Sequence, residues 1–223
     1  MALHRAVSNG HHKVVQLLLD HGAAVNAQCT DGTDALYNAS EFADCEMVSL
    51  LLARGATGIN TTRNSLDNTC LIAACGNNQD EIVCLLVREG ADVNAYDITG
   101  QSVLMHACRG DLEHSTVTFL VDHGASMTMT DEHGETALMH AARAANEDLC
   151  LTLINHGTDL YAKSHHGKTA LDLYDDTDSE GPDVVADDDL DYHTLSADEL
   201  QAKRLILKAA FDAHTSSYGP PST

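Results

Sequence analysis

Histidine and cysteine are the residues here that could do chemistry. The chain carries 14 histidines and 7 cysteines in 223 residues. Imidazole is the commonest metal ligand and acid–base group near neutral pH, so the doublets His11-His12 and His165-His166 are the first places to look for a metal. The cysteines (Cys29, Cys45, Cys70, Cys75, Cys84, Cys108, Cys150) are odd in number and include no C-x-x-C pair. That pattern fits small apolar residues in a reducing compartment, not a disulfide framework or a zinc site. His21, His123 and His156 each stand one residue before a glycine, where a helix ending at that point would gain from a donor or cation. No G-x-S-x-G, P-loop, dinucleotide fingerprint or H-E-x-x-H occurs, so no catalytic residue, cofactor or metal ligand is assigned.

The elements that would position these groups repeat. Leu3, Leu36, Leu71, Leu104, Leu138 and Leu171 fall at steps of 33, 35, 33, 34 and 33. Gly22, Gly55, Gly90, Gly124 and Gly157 keep the same beat, each closing an apolar run such as Val14-Val15-Gln16-Leu17-Leu18-Leu19. Each period reads as two short antiparallel helices. In the fifth, Thr136 opens a first helix, a second passes through Leu149, Leu151, Leu153 and Ile154, and Gly157 ends it as a left-handed cap. Strings such as Asp97-Ile98-Thr99-Gly100 and Asp131-Glu132-His133-Gly134 predict tight hairpin-like turns between units. A unit of this size cannot bury its apolar face alone, so the units must stack as a solenoid.

The segment Thr130-Asp131-Glu132-His133-Gly134-Glu135-Thr136-Ala137-Leu138-Met139-His140-Ala141-Ala142 resembles the first half of an ankyrin repeat, and residues 10–27 resemble its second half. The family's T-P-L-H is altered: proline is replaced by Ala2, Ala35, Cys70, Val103, Ala137 and Ala170, and histidine is kept only as His4. These departures predict lower stability than in an idealised array. The expected fold is an all-α solenoid of about six units over residues 1–174, near 1–28, 29–62, 63–95, 96–129, 130–162 and a sixth begun at 163–174. A mobile acidic insertion is expected at 175–195, a capping helix at 196–214 opening on Ser196-Ala197-Asp198-Glu199, and a disordered tail at 215–223. Because the chain begins inside a first helix, unit one is expected to be either a truncated cap or part of a longer protein. Asn26, Asn60 and Asn94 occupy the family's asparagine position and are expected to stabilise turns.

The resemblance implies a non-catalytic adaptor that binds a partner protein or peptide through its concave face. The alternative is a regulatory or targeting part of a larger assembly. By register, the contact positions are Thr30, Asp31, Thr33, Glu41 and Phe42 in unit two and Ser65, Leu66, Asn68 and Asn77 in unit three. Unit four gives Ile98, Thr99, Gln101 and Arg109, unit five Glu132, His133, Glu135 and Arg143, and unit six His165, His166 and Lys168. Phe42, Leu66 and Ile98 would form an apolar stripe and Arg109, Arg143 and Lys168 a basic one, over which the acidic insertion could fold. Lys and Arg number 12 against 34 Asp and Glu, a net charge of -22. That balance disfavours nucleic acid and favours basic protein partners. No apolar stretch is long enough to cross a membrane as a helix. A monomer in the cytoplasm is expected, with the nucleus as the alternative compartment.

Overall fold

In the computed structural model the described residues are 2–42, 44–61, 66–110, 112–176 and Ala209. The expected capping helix, the acidic insertion beyond residue 176 and the tail fall outside them, Ala209 apart. Eleven helices are described. They are α1 (Ala2–Ser8), α2 (His12–Asp20), α3 (Ala35–Phe42), α4 (Cys45–Ala53), α5 (Cys70–Gly76), α6 (Asp80–Arg88), α7 (Val103–Arg109), α8 (His114–Asp122), α9 (Ala137–Arg143), α10 (Glu147–Asn155) and α11 (Ala170–Asp176). The odd-numbered helices stack on one another as an inner row. The even-numbered ones form an outer row, and each helix from α1 to α10 also packs on its partner in the pair. The fold is an all-α solenoid.

Each inner helix from α3 onward starts where its sequence supplies a cap. Asp34 Oδ1 accepts from the Tyr37 N–H at 2.9 Å, and the hydroxyls of Thr69, Ser102, Thr136 and Thr169 accept from Ile72, Met105, Met139 and Asp172 at 3.3, 3.3, 3.4 and 3.3 Å. All five residues occupy the same place in the repeat, and each satisfies one of the amides that a helix start leaves without a partner.

Packing follows the same register. Leu36, Leu71, Leu104 and Leu138 are at most 1% exposed and belong to one continuous core that also holds Leu3. In the outer row Val15, Val48, Val83, Val117 and Cys150 are fully buried at one repeat position. The neighbouring position shows what stacking contributes. Met47, Ile82, Thr116 and Leu149 are at most 3% exposed, whereas Val14, on a helix with no unit packed on its far side among the described residues, is 45% exposed. Each large apolar side chain buried in this way stabilises the array by roughly 1.5–3 kcal/mol.

Two sets of hydrogen bonds lock one unit to the next. Asn26, Asn60 and Asn94 each donate Nδ2–H to the carbonyl of Gly55, Gly90 and Gly124, at 3.1 Å in every case. Their Oδ1 atoms accept from the amides of Thr57, Asp92 and Ser126 at 3.0, 2.8 and 2.8 Å. The asparagines are therefore brackets between units. A few residues further along the chain the hairpin-like turns are closed by Cys29, Asp97, Asp131 and Ser164 N–H donating to the carbonyl four residues on. Gly100 and Gly134 take left-handed φ of +79° and +72° in these turns and lie against the next turn as well. A Cβ on Gly134 would meet the His165 ring at 2.7 Å.

Gly134→Ala should therefore cost roughly 2–3 kcal/mol, from left-handed strain plus the clash. Gly157→Ala, at φ +82° with nothing within 4 Å, should cost about 1 kcal/mol from strain alone. Urea midpoints of the two variants measure the difference, and equal losses would contradict the close approach of the turns.

Candidate functional site

The turn tips form a ladder of their own. The Ile98 N–H donates to the Leu66 carbonyl at 3.0 Å, the Glu132 N–H to Thr99 at 2.9 Å and the His165 N–H to His133 at 2.8 Å. Successive tips thus make a continuous edge beside the inner helices. Leu66 and Ile98 are joined on it and stand 52% and 63% exposed, and Phe42, at the end of α3, is 63% exposed.

Beneath the tips lies a buried polar network. Asp97 Oδ1 accepts from the Thr99 N–H, the Thr99 hydroxyl and the Gln101 N–H at 2.9, 2.7 and 3.0 Å, while Oδ2 accepts from His106 Nε2 at 2.9 Å. One unit on, Asp131 accepts from the His133 and Glu135 amides and from His140 Nε2, all at 2.9 Å. Burial pushes the Asp97 carboxyl up, but the Thr99, His106 and Gln101 donors outweigh it and hold the group below its ordinary value. Asp131 is depressed in the same way, with burial opposed by Glu135, His140 and His133. His106 shows the opposite balance, because burial, helped by the nearby Arg109 and His140, pushes its pKa down against the opposing pull of Asp97. In unit two Asp31 accepts from the Thr33 amide and hydroxyl, with no imidazole donor among the described residues.

These Asp–His pairs lie in units that lack the family's own histidine, and the sequence reading passed over them. Their signal was a nine-residue Asp-to-His spacing at the same register in two successive units. Asp131, Glu135 and His140 also bring one ligand atom each within 4.8 Å of one another, and among the described residues they are the group that could hold a metal ion. Yet Arg143 Nη2 already donates to Glu135 Oε1 at 2.5 Å. Unit four builds the same Asp–His bond with Gln101 in place of Glu135, so the pair holds the turn without a third ligand.

The expected contact residues divide accordingly. Thr30, Asp31, Phe42, Leu66, Asn77, Ile98, Arg109, Glu132, His133, Arg143, His165 and His166 are exposed, and Glu41, Asn68, Thr99, Gln101 and Lys168 are half-buried. Thr33 and Glu135 are buried beneath the tips. Ser65 lies outside the described residues. Arg109 and Arg143, equivalent by register, differ in charge environment: Arg143 is bonded to Glu135, whereas Gln101 at that level is neutral and its buried Oε1 has no hydrogen-bond partner among the described residues.

The remaining candidate chemistry resolves into structure. His21, His123 and His156 donate Nδ1–H to the carbonyls of Leu17, Phe119 and Thr152, four residues back, at 2.8 Å each. Each of these carbonyls also accepts the same histidine's backbone N–H, so the imidazole adds a second donor at the helix end. Burial pushes the thiols of Cys75 and Cys108 far up and that of Cys150 up to about 12, which removes the thiolate a nucleophile needs.

The profile described as "Ankyrin repeats (3 copies)" matches residues 1–65 and 71–164. The chain belongs to the ankyrin-repeat family. The B-cell lymphoma 3 protein homolog of Mus musculus is 36% identical over 105 residues, 47% of this chain and 23% of that protein. "Ankyrin repeat, SAM and basic leucine zipper domain-containing protein 1" of Atelerix albiventris is 36% identical over 95 residues, 40% of this chain and 19% of that one. The matches thus cover less than a quarter of these relatives' own length. A chain of the solved structure of Bd0816 predatory endopeptidase from Bdellovibrio bacteriovorus in complex with immunity protein Bd3460 superposes with a TM-score of 0.72 at 26% identity. That match covers 80% of this chain and 92% of the other.

The folded state of this ankyrin array should weaken on mild acidification. His106 has a lower pKa folded than its ordinary 6.5, so below about pH 6.5 the unfolded chain binds the proton more readily and stability falls. His106→Gln keeps a donor toward Asp97 and should flatten part of the slope of urea stability between about pH 7 and pH 5. An unchanged slope would show that His106 does not contribute.

Proposed function

We propose that this ankyrin array is a non-catalytic adaptor that binds a partner protein or peptide along its concave face and turn tips. The observation that carries the reading is the Leu66–Ile98 edge, two large apolar side chains held side by side in water by a backbone hydrogen bond. Exposed apolar anchors on a rigid support are what dominate interface energies. Phe42 and Asn77 extend the face on one side, and Arg109, His133 and His165 on the other. The family match supports protein binding, as does the likeness to a structure that contains an endopeptidase and its immunity protein. All seven cysteines are free, which fits a reducing compartment such as the cytoplasm or nucleus. Among the described residues no helix is long and apolar enough to cross a membrane.

A second reading, in which the array is the targeting part of a larger protein, is favoured by the small share of each relative that it matches. An immunoblot of the endogenous protein separates the two, since a species well above 23.8 kDa supports the second.

Leu66→Ser with Ile98→Ser should weaken partner capture about tenfold or more while leaving helicity intact. Val14→Ser with Leu17→Ser, on the far side of α2, should leave capture unchanged. Retained binding by the first variant, or loss confined to the second, would remove the turn edge from the interface.

A further inference from the structure

On the outer row, away from the concave face, α4, α6 and the start of α8 enclose an open groove of about 450 Å³. Its walls are mostly apolar: the thiols of Cys45 and Cys84 line it together with Leu85 and the buried Thr116. Both thiols are half-buried. Burial first, and then neighbouring carboxylates, raise the Cys45 thiol above its ordinary value, and burial raises Cys84 against the opposing pull of Arg88. The thiols are therefore neutral, weakly polar surface at neutral pH.

The rim carries the opposite character. Asp80, Glu81 and Glu113 ring the groove, with Arg88 the single cation among the lining residues. Arg88 is turned over the Phe119 ring, its guanidinium carbon 5.6 Å from the ring centre. Helix starts explain part of the arrangement, since carboxylates at the beginnings of α6 and α8 suit the positive helix ends. They do not explain an apolar trough left open between three acids. Asp80 accepts from the Glu113 N–H at 3.0 Å, Glu113 Oε2 accepts from the Ser115 hydroxyl at 3.1 Å and Glu81 meets the Cys45 thiol, while Glu81 and Glu113 both remain exposed to solvent.

We propose that this groove is a second docking site, for a segment of a partner protein that places an aliphatic side chain against Cys45, Cys84 and Leu85 and arginine or lysine side chains against Glu81, Glu113 and Asp80. Charge complementarity selects the occupant. The local rim is acidic, and a net charge of -22 draws basic segments toward the chain and repels acidic ones. The site is independent of the concave-face reading, because its residues come from the outer helices and share none with the turn edge.

The test uses the full chain and a fluorescent peptide of alternating leucine and arginine, with an alternating leucine and glutamate peptide as its counterpart. Three results are expected. The arginine peptide binds and the glutamate peptide does not. Glu81→Gln with Glu113→Gln weakens binding about tenfold, while Asp122→Asn with Asp159→Asn, the same charge change at exposed positions away from both the groove and the turn edge, alters it less than about twofold. Bound peptide slows alkylation of Cys45 and Cys84, read residue by residue by mass spectrometry, and leaves the half-buried Cys29 unaffected. Equal weakening by both double variants would show diffuse attraction to the whole chain and overturn the proposal. So would binding that leaves Cys45 and Cys84 unprotected, or no binding of the arginine peptide.

Discussion

A single pair of helices in this chain cannot bury its own apolar surface, and the contact of each pair with the next is the interaction on which everything else rests. The effect is visible at one repeat position: Met47, Ile82, Thr116 and Leu149 are closed off by the preceding unit, while Val14, with nothing stacked on its outer side among the described residues, stays open. The buried leucines of the inner row and the valines of the outer row make this contact largely hydrophobic and therefore tolerant of direction. Hydrogen bonds supply the register. Asparagine brackets hold the junctions from unit one to unit four, and tip-to-tip backbone bonds hold those from unit three to unit six.

Surface and core are coupled through that register. The turn edge is rigid because buried acceptors beneath it, Asp97 and Asp131, each collect several donors from their own turn and one from an imidazole on the following helix. Removing one such donor would leave a buried carboxylate short of partners, which costs more than a hydrogen bond normally contributes. The exposed side chains above can therefore vary between units, apolar at Leu66 and Ile98, charged or imidazole at Glu132, His133 and His165, without loosening the backbone that carries them. Variation of this kind on a fixed support is how one architecture serves different partners.

Much of the fold was legible in the sequence because its determinants are local and periodic. Leucine spacing, a capping residue before each inner helix from α3 onward and glycine after each outer one are features of single units. The apolar edge was legible too, since Leu66 and Ile98 sit where a turn tip must face solvent. The Asp–His pairs were harder to see. Neither residue is unusual alone, and only the recurrence of Asp97 with His106 and Asp131 with His140 at one register marks them. The unequal settings of Arg109 and Arg143 follow from one substitution, Gln101 for Glu135, whose meaning depends on a side chain eight residues away. Least legible was the outer groove, because Cys45, Cys84 and Glu113 come from three different units and meet only through stacking.

Hydrogen exchange on Leu104→Ala tests the stacking account most directly. The substitution opens a cavity in the middle of the spine and should cost about 2–5 kcal/mol. Coupling between nearest neighbours predicts that amide protection falls most in α7, less in α5 and α9, and least in α1 and α11. A uniform loss of protection along the whole chain, or a loss confined to α7, would contradict it.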